Sequence, residues 1–134
     1  MNVLEPLLLV LIENARRILV AQYGVDRAEP TFFQIIDLLR AEPELRPVFL
    51  ALVRRTLMKR HDRWGLDEDS VPSELTQLVV HELRWTEFRE LAEERLQTVL
   101  GGDRALAISD PVRWIADAYE DSWDDREFYR RYRE

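Results

Sequence analysis

Cysteine is absent from the 134-residue chain, and histidine occurs only at His61 and His81. A disulfide framework, a zinc–thiolate site and a thiol nucleophile are therefore excluded. The two histidines do not have the spacing of a helical metal-binding pair, and no glycine-rich phosphate loop or nucleophile elbow occurs. We therefore predict no metal, no cofactor and no catalytic residue, and an enzyme is the less favoured class.

Long apolar runs are also missing. The longest extends only from Leu7 to Ile12 and is followed at once by Glu13 and two arginines. Such a run is too short to span a bilayer. The start of the chain also lacks the basic segment and the small-residue cleavage site of a signal peptide. The sequence therefore predicts a cytoplasmic protein without membrane association.

Glycine is scarce, and its four positions punctuate the chain. Gly24, Gly65, Gly101 and Gly102 fall outside the apolar-periodic segments, and we interpret them as helix stops. Between them the apolar residues recur at helical spacing, with no sustained strand alternation. We predict a single all-α domain over residues 1–134, a compact irregular bundle of about six or seven helices. A short HEAT-like stack of helix pairs is the alternative.

Start and stop signals predict the bounds of these helices. The first should cover Leu4 to Tyr23, and the others should begin near Thr31, Pro47, Pro72, Thr86, Pro111 and Ser122. The first helix is apolar on every side between Leu7 and Ile12. This stretch must be covered by other helices or by a second subunit, so a homodimer through the first helix is one prediction.

Charge is unevenly distributed along the chain, whose formal net charge is -7. Between Arg46 and Arg63 six basic residues accompany one acid, whereas seven acids accompany two arginines between Asp110 and Glu127. The overall sign makes nucleic acid an unfavourable partner. The two segments either pair within the fold, form solvated faces, or include a docking surface for a partner of opposite charge.

Aromatic residues lie among the acids near the end of the chain, a composition typical of interface hot spots. The candidate partner-binding residues are Asp121, Trp123, Asp124, Asp125 and Tyr129. A metal site in the same acids is disfavoured, because no second acidic cluster faces them. We predict a non-enzymatic protein–protein interaction module that binds a basic partner through this acidic C-terminal surface. An immunity- or antitoxin-like inhibitor and an adaptor both fit this description.

The alternative is an enzyme, or a helical protein that binds a small ligand or metal in a polar pocket between helices. Its candidate residues are Glu82, Arg84 and Glu87, beside the turn at Trp85. We interpret His81, which lies among apolar residues, as a partly buried structural residue, and His61 as a cation at a helix end.

Overall fold

The computed structural model describes residues 3–60 and 63–133, and every regular element in these ranges is helical. The seven α-helices are α1 (Glu5–Val20), α2 (Val25–Ala41), α3 (Arg46–Leu57), α4 (Ser73–Leu83), α5 (Glu87–Thr98), α6 (Pro111–Ala118) and α7 (Arg130–Arg133). Short 3-10 helical turns cover Pro43–Leu45, Leu106–Ser109 and Asp124–Phe128. The predicted all-α fold of about seven helices is confirmed.

The helices form an irregular bundle rather than a linear stack. α2 lies between α1 and α4, α6 packs against both α4 and α5, and α3 packs against α5. The end of the chain returns to α2, where the Glu29 carboxylate accepts hydrogen bonds from the backbone N–H groups of Arg130 and Arg131 at 2.7 and 3.0 Å. In a solenoid each repeat contacts only its neighbours. The HEAT-like alternative is therefore wrong.

One apolar core holds these helices together. Side chains that are fully removed from solvent come from every helix between α1 and α6, and include Leu8, Phe32, Ile35, Phe49, Leu78, Phe88, Leu96 and Ile115. Full burial of one such side chain contributes about 1.5–3 kcal/mol relative to its exposed state. A core of this extent supports the fold without a disulfide.

The start of α2 differs from the sequence prediction. The helix begins at Val25 rather than near Thr31, and it includes Pro30. A proline inside a helix clashes with the carbonyl four residues earlier, which here belongs to Asp26 in the exposed first turn. Gly24, predicted as a left-handed stop, instead has φ of -77° and precedes α2, while Gln22 adopts the left-handed conformation with φ of 68°.

The last predicted helix is interrupted. Ser122 does not cap a continuous helix, because the turn over Asp124–Phe128 ends at Tyr129, whose backbone is extended with φ of -98° and ψ of 126°. Phe128 is consequently exposed, whereas Tyr132 packs against the core. Phe128 and Tyr132 are four residues apart, a spacing that would place both rings on one face of a continuous helix. The extended backbone of Tyr129 interrupts the helix, so the two rings point in different directions.

The apolar stretch of α1 is only partly covered. Leu8 and Ile12 are buried, but Leu7, Leu9 and Val10 are 45%, 44% and 64% exposed. The other helices of the chain therefore do not surround this segment, and a homodimer through α1 stays a prediction. None of the helices in the described residues is long and apolar enough to cross a membrane.

Candidate functional site

The five candidate residues separate into two groups. Asp121, Asp124 and Asp125 are exposed, whereas Trp123 and Tyr129 are only 6% and 2% exposed. The expectation that the two rings are available to a partner is therefore wrong. They lie in the core because the end of the chain folds back over α4 and α2, and their rings face each other with centroids 6.2 Å apart.

The His81 side chain on α4 forms hydrogen bonds to the C-terminal part of the chain. Its Nδ1 lies 2.8 Å from the carbonyl oxygen of Ala118, and its Nε2 lies 2.6 Å from Nη1 of Arg126. A neutral imidazole satisfies both contacts, since Nδ1–H donates to the carbonyl and Nε2 accepts from the guanidinium. Burial lowers the pKa of His81 and favours this neutral form. The structural role predicted for His81 is confirmed; His61 lies outside the described residues.

The residues proposed for the alternative pocket hold structural contacts. Glu82 accepts a hydrogen bond from the Tyr132 hydroxyl at 2.7 Å. Arg84 donates to the carbonyl oxygens of His81 and Tyr119. Glu87 receives two hydrogen bonds from the Arg46 guanidinium, which lowers the pKa of the carboxyl group. These side chains join neighbouring parts of the fold, and a ligand pocket beside Trp85 stays a prediction.

The basic segment is partly neutralised inside the fold, by two ion pairs to α5. Arg46 pairs with Glu87, and Arg54 pairs with Glu94 through two hydrogen bonds of 2.9 and 2.6 Å. Both acids belong to α5, which packs along α3. Lys59 donates to the Ser70 hydroxyl at 2.6 Å. Among the described residues, two of the six basic side chains between residues 46 and 63, those of Arg46 and Arg54, therefore pair with an acid.

The acidic segment is also only partly neutralised. Asp110 is buried against Arg95, and Asp117 pairs with Arg113 at 3.0 Å. We define the acidic surface as Glu120, Asp121, Asp124, Asp125 and Glu127. Of these residues only Asp121 has a basic side chain within 4 Å among the described residues, namely Arg84 at 3.0 Å. The acidic surface therefore carries an unbalanced negative charge.

Two cavities open beside the acidic surface and share Gln77, Trp114 and Asp125. The first, the acidic groove, has a volume of about 390 Å³ and is lined by Gln77, Arg113, Trp114, Asp117, Glu120, Ser122, Trp123, Asp124 and Asp125. The second, the tryptophan notch, has a volume of about 250 Å³ and is lined by Trp64, Ser73, Glu74, Gln77, Trp114 and Asp125.

Two carboxylates at these cavities, those of Glu74 and Asp125, are destabilised in their ionised form. Burial raises the pKa of Glu74, and the nearby charge of Asp125 raises it further. Partial desolvation at the rim of the cavities likewise raises the pKa of Asp125, although the residue as a whole is exposed, and the charges of Asp124 and Asp117 add to the effect. A desolvated carboxylate next to another negative charge is destabilised in its ionised form. A cation placed between these groups would relieve this cost.

Trp64 is positioned by a tight loop that the sequence analysis did not identify as functional. Gly65 has φ of 85°, and a Cβ atom there would lie 2.1 Å from the carbonyl oxygen of Val71. The backbone N–H of Ser73 donates to the Trp64 carbonyl at 3.0 Å. This packing fixes Trp64, with φ of 56°, so that its ring meets the Trp114 ring edge-to-face at 5.0 Å. Gly65 therefore closes this loop rather than ending a helix.

Sequence reasoning missed Trp64, Glu74, Gln77 and Trp114 as parts of one site. They come from the loop before α4, from α4 itself and from α6, and only the packing of α4 against α6 brings them together. The one local signal is a tryptophan followed by glycine within a polar connection.

Among the described residues no group of three or more histidine, aspartate or glutamate side chains is arranged to hold a metal ion. Comparison of the chain with protein-family models, with curated proteins and with solved structures finds no match.

Proposed function

We propose that this protein is a non-enzymatic interaction module that binds a basic protein through its acidic surface, as an immunity- or antitoxin-like inhibitor or as an adaptor. The observation that carries the proposal is a cluster of exposed acids without basic partners. Glu120, Asp124, Asp125 and Glu127 are exposed and have no basic side chain within 4 Å among the described residues, in contrast to the ion-paired Asp110, Asp117 and Asp121.

An unpaired cluster of like charges destabilises a folded protein through self-repulsion, so its presence needs a compensating role. A basic partner would remove this repulsion on binding. The same charges would steer the partner during diffusional encounter, which raises association rates by about 10 to 1,000-fold at low ionic strength. Binding of this kind weakens as salt screens the charges. The absence of cysteine suits a reducing compartment, and we place this interaction in the cytoplasm.

The test is affinity purification of the tagged protein from its native host at low and moderate salt. A triple variant, Asp121→Asn with Asp124→Asn and Asp125→Asn, removes three charges from the acidic surface. The matched control, Asp26→Asn with Asp37→Asn and Glu90→Gln, removes three charges from exposed positions elsewhere. We expect one basic protein in equal amount with the wild type and the control, but not with the acidic-surface variant.

The partner should also be released as salt increases. Three results would contradict the proposal: retention of the partner by the acidic-surface variant, capture of a partner without excess positive charge, or recovery of no partner at low salt.

A second candidate role is self-association through α1, favoured by the exposure of Leu7, Leu9 and Val10. Leu7 and Val10, three residues apart, lie on one face of the helix and form an apolar strip that a second copy could cover. Light scattering of a concentrated solution should then give the mass of a dimer, and Val10→Glu should give the mass of a monomer. A monomer mass for the wild-type protein would reject this role.

A further inference from the structure

The tryptophan notch combines aromatic walls with acceptor groups. Trp64 is 45% exposed, and its ring lies edge-to-face against Trp114 at 5.0 Å. Glu74 and Asp125 line the same cavity of about 250 Å³. A space of this size accommodates one side chain rather than a folded segment. The notch therefore has the dimensions and the mixed lining of a pocket for a single group that is both flat and polar.

The two carboxylates of the notch have no basic partner among the described residues. Glu74 and Asp125 have no basic side chain within 4 Å in the part of the chain that the structure describes, in contrast to the paired acids of α5. Gln77 is only 7% exposed, and its Nε2 donates to the Ser73 hydroxyl at 3.0 Å. No described residue donates to its Oε1. Two carboxylates without a basic partner and the side-chain carbonyl of Gln77 thus line the same cavity.

The negative charge of Glu74 and Asp125 favours a cationic ligand in the notch. An anion would be repelled by both carboxylates, and an apolar group would leave the carboxylates and the Gln77 carbonyl without hydrogen bonds. A cation satisfies all of them. The nearest arginine of α6, Arg113, does not line the notch, and its guanidinium pairs with Asp117 at 3.0 Å.

We infer that the tryptophan notch binds an arginine side chain, and that this arginine anchors the basic partner. The identity of the partner as a protein rests on the proposed function. Arginine is favoured over lysine because its planar guanidinium offers five donors, pairs with carboxylates through two hydrogen bonds and stacks against indole rings. The loop around Gly65 fixes the Trp64 ring at the rim of the notch, since Ser73 N–H donates to the Trp64 carbonyl.

The test is an NMR titration of the full chain, labelled with ¹⁵N, with N-acetyl-arginine amide. The indole N–H signals of Trp64 and Trp114 should shift with a dissociation constant of about 1–10 mM, the weak range expected of a single small group. N-acetyl-lysine amide should bind several-fold more weakly. N-acetyl-citrulline amide, which has the same shape without the charge, should give no saturable shift.

The matched variants are Glu74→Gln and Glu90→Gln. Both remove one carboxylate, but Glu90 is an exposed residue of α5 and does not line the notch. Glu74→Gln should weaken arginine binding at least about tenfold, whereas Glu90→Gln should leave it within about twofold. Thermal unfolding should show that Glu74→Gln is folded and no less stable than the wild type. Arginine binding should also weaken from pH 7 to pH 5, because the pKa of Glu74 and that of Asp125 are both raised.

Equal binding of the citrulline and arginine amides would overturn the inference, and so would a Glu74→Gln variant that binds like the wild type. Loss of arginine binding in Glu90→Gln would also count against the notch. These results are separable from the proposed function. A basic protein captured through the acidic surface without arginine binding in the notch would refute only the inference. Arginine binding in the notch without a captured partner would refute only the proposed function.

Discussion

Replacement of Asp110 by alanine should cause the largest loss of stability among the acids of the C-terminal segment. Asp110 and Arg95 side chains are each only 6% exposed, and they form two parallel hydrogen bonds of 2.8 and 2.9 Å. Asp110 also accepts a hydrogen bond from the backbone N–H of Val112 at 3.0 Å, at the start of α6. One side chain therefore both neutralises a buried cation and caps a helix.

Two contributions set the magnitude. Removal of one partner from a buried ion pair costs about 3–5 kcal/mol, because the other charge stays buried without compensation. Loss of the helix cap adds about 1 kcal/mol. The Arg95 guanidinium keeps a hydrogen bond to the Leu57 carbonyl at 2.5 Å, which favours the lower end of the range. We expect Asp110→Ala to lower the free energy of unfolding by about 4 kcal/mol, a large part of the stability of a small domain.

Urea unfolding at 25 °C, followed by circular dichroism, measures this change. Asp110→Asn should lose less than Asp110→Ala, because asparagine retains a capping oxygen. The double variant Arg95→Met with Asp110→Ala should lose clearly less than the two single variants added together, since no buried charge is left without a partner. A loss below about 1 kcal/mol for Asp110→Ala, or strict additivity in the double variant, would refute this reasoning.

Two further predictions concern the end of the chain. Burial lowers the pKa of His81 from its ordinary value of 6.5, so the folded state binds fewer protons than the unfolded state. The contribution of His81 to the free energy of unfolding should be complete above about pH 6.5, and it should decrease as the pH drops from there towards the folded-state pKa. In this pH range the urea midpoint of the wild type should decrease more than that of His81→Phe. Glu29→Gln should weaken the hydrogen bonds with the N–H groups of Arg130 and Arg131 by about 1–3 kcal/mol. Trypsin should therefore cleave this variant faster at these arginines, whereas it should cleave the Glu90→Gln control at the wild-type rate.

Local signals predicted some helix bounds well and others poorly. Ser109, Asp110 and Pro111 predicted the start of α6, because capping and proline geometry act on adjacent residues. The start of α2 was predicted six residues late, because the spacing of Thr31 and Gln34 resembles a capping box, whereas burial of Ala28 and Glu29 extends the helix in the other direction. Tertiary contacts overrode the local preference at this position.

The candidate site could be predicted only in part. Exposure of Asp121, Asp124 and Asp125 agrees with their position in a charged segment, since charged side chains mostly stay in water. The ion pairs of Arg46 and Arg54 could not be predicted from composition, because their partners Glu87 and Glu94 lie about 40 residues away on α5. The notch depends in the same way on the approach of α4 and α6, which no spacing along the chain reveals.

Burial of Trp123 and Tyr129 changes how these residues can serve binding. Both rings lie in the core on either side of the turn that carries Asp124 and Asp125, so they fix the position of these acids. A surface held in its binding geometry loses less conformational freedom on association. Trp123→Ala should therefore weaken partner binding and also lower the melting temperature. The triple asparagine variant of the acidic surface should weaken partner binding without changing the melting temperature. Loss of binding in Trp123→Ala at wild-type stability would show instead that the indole ring itself contacts the partner.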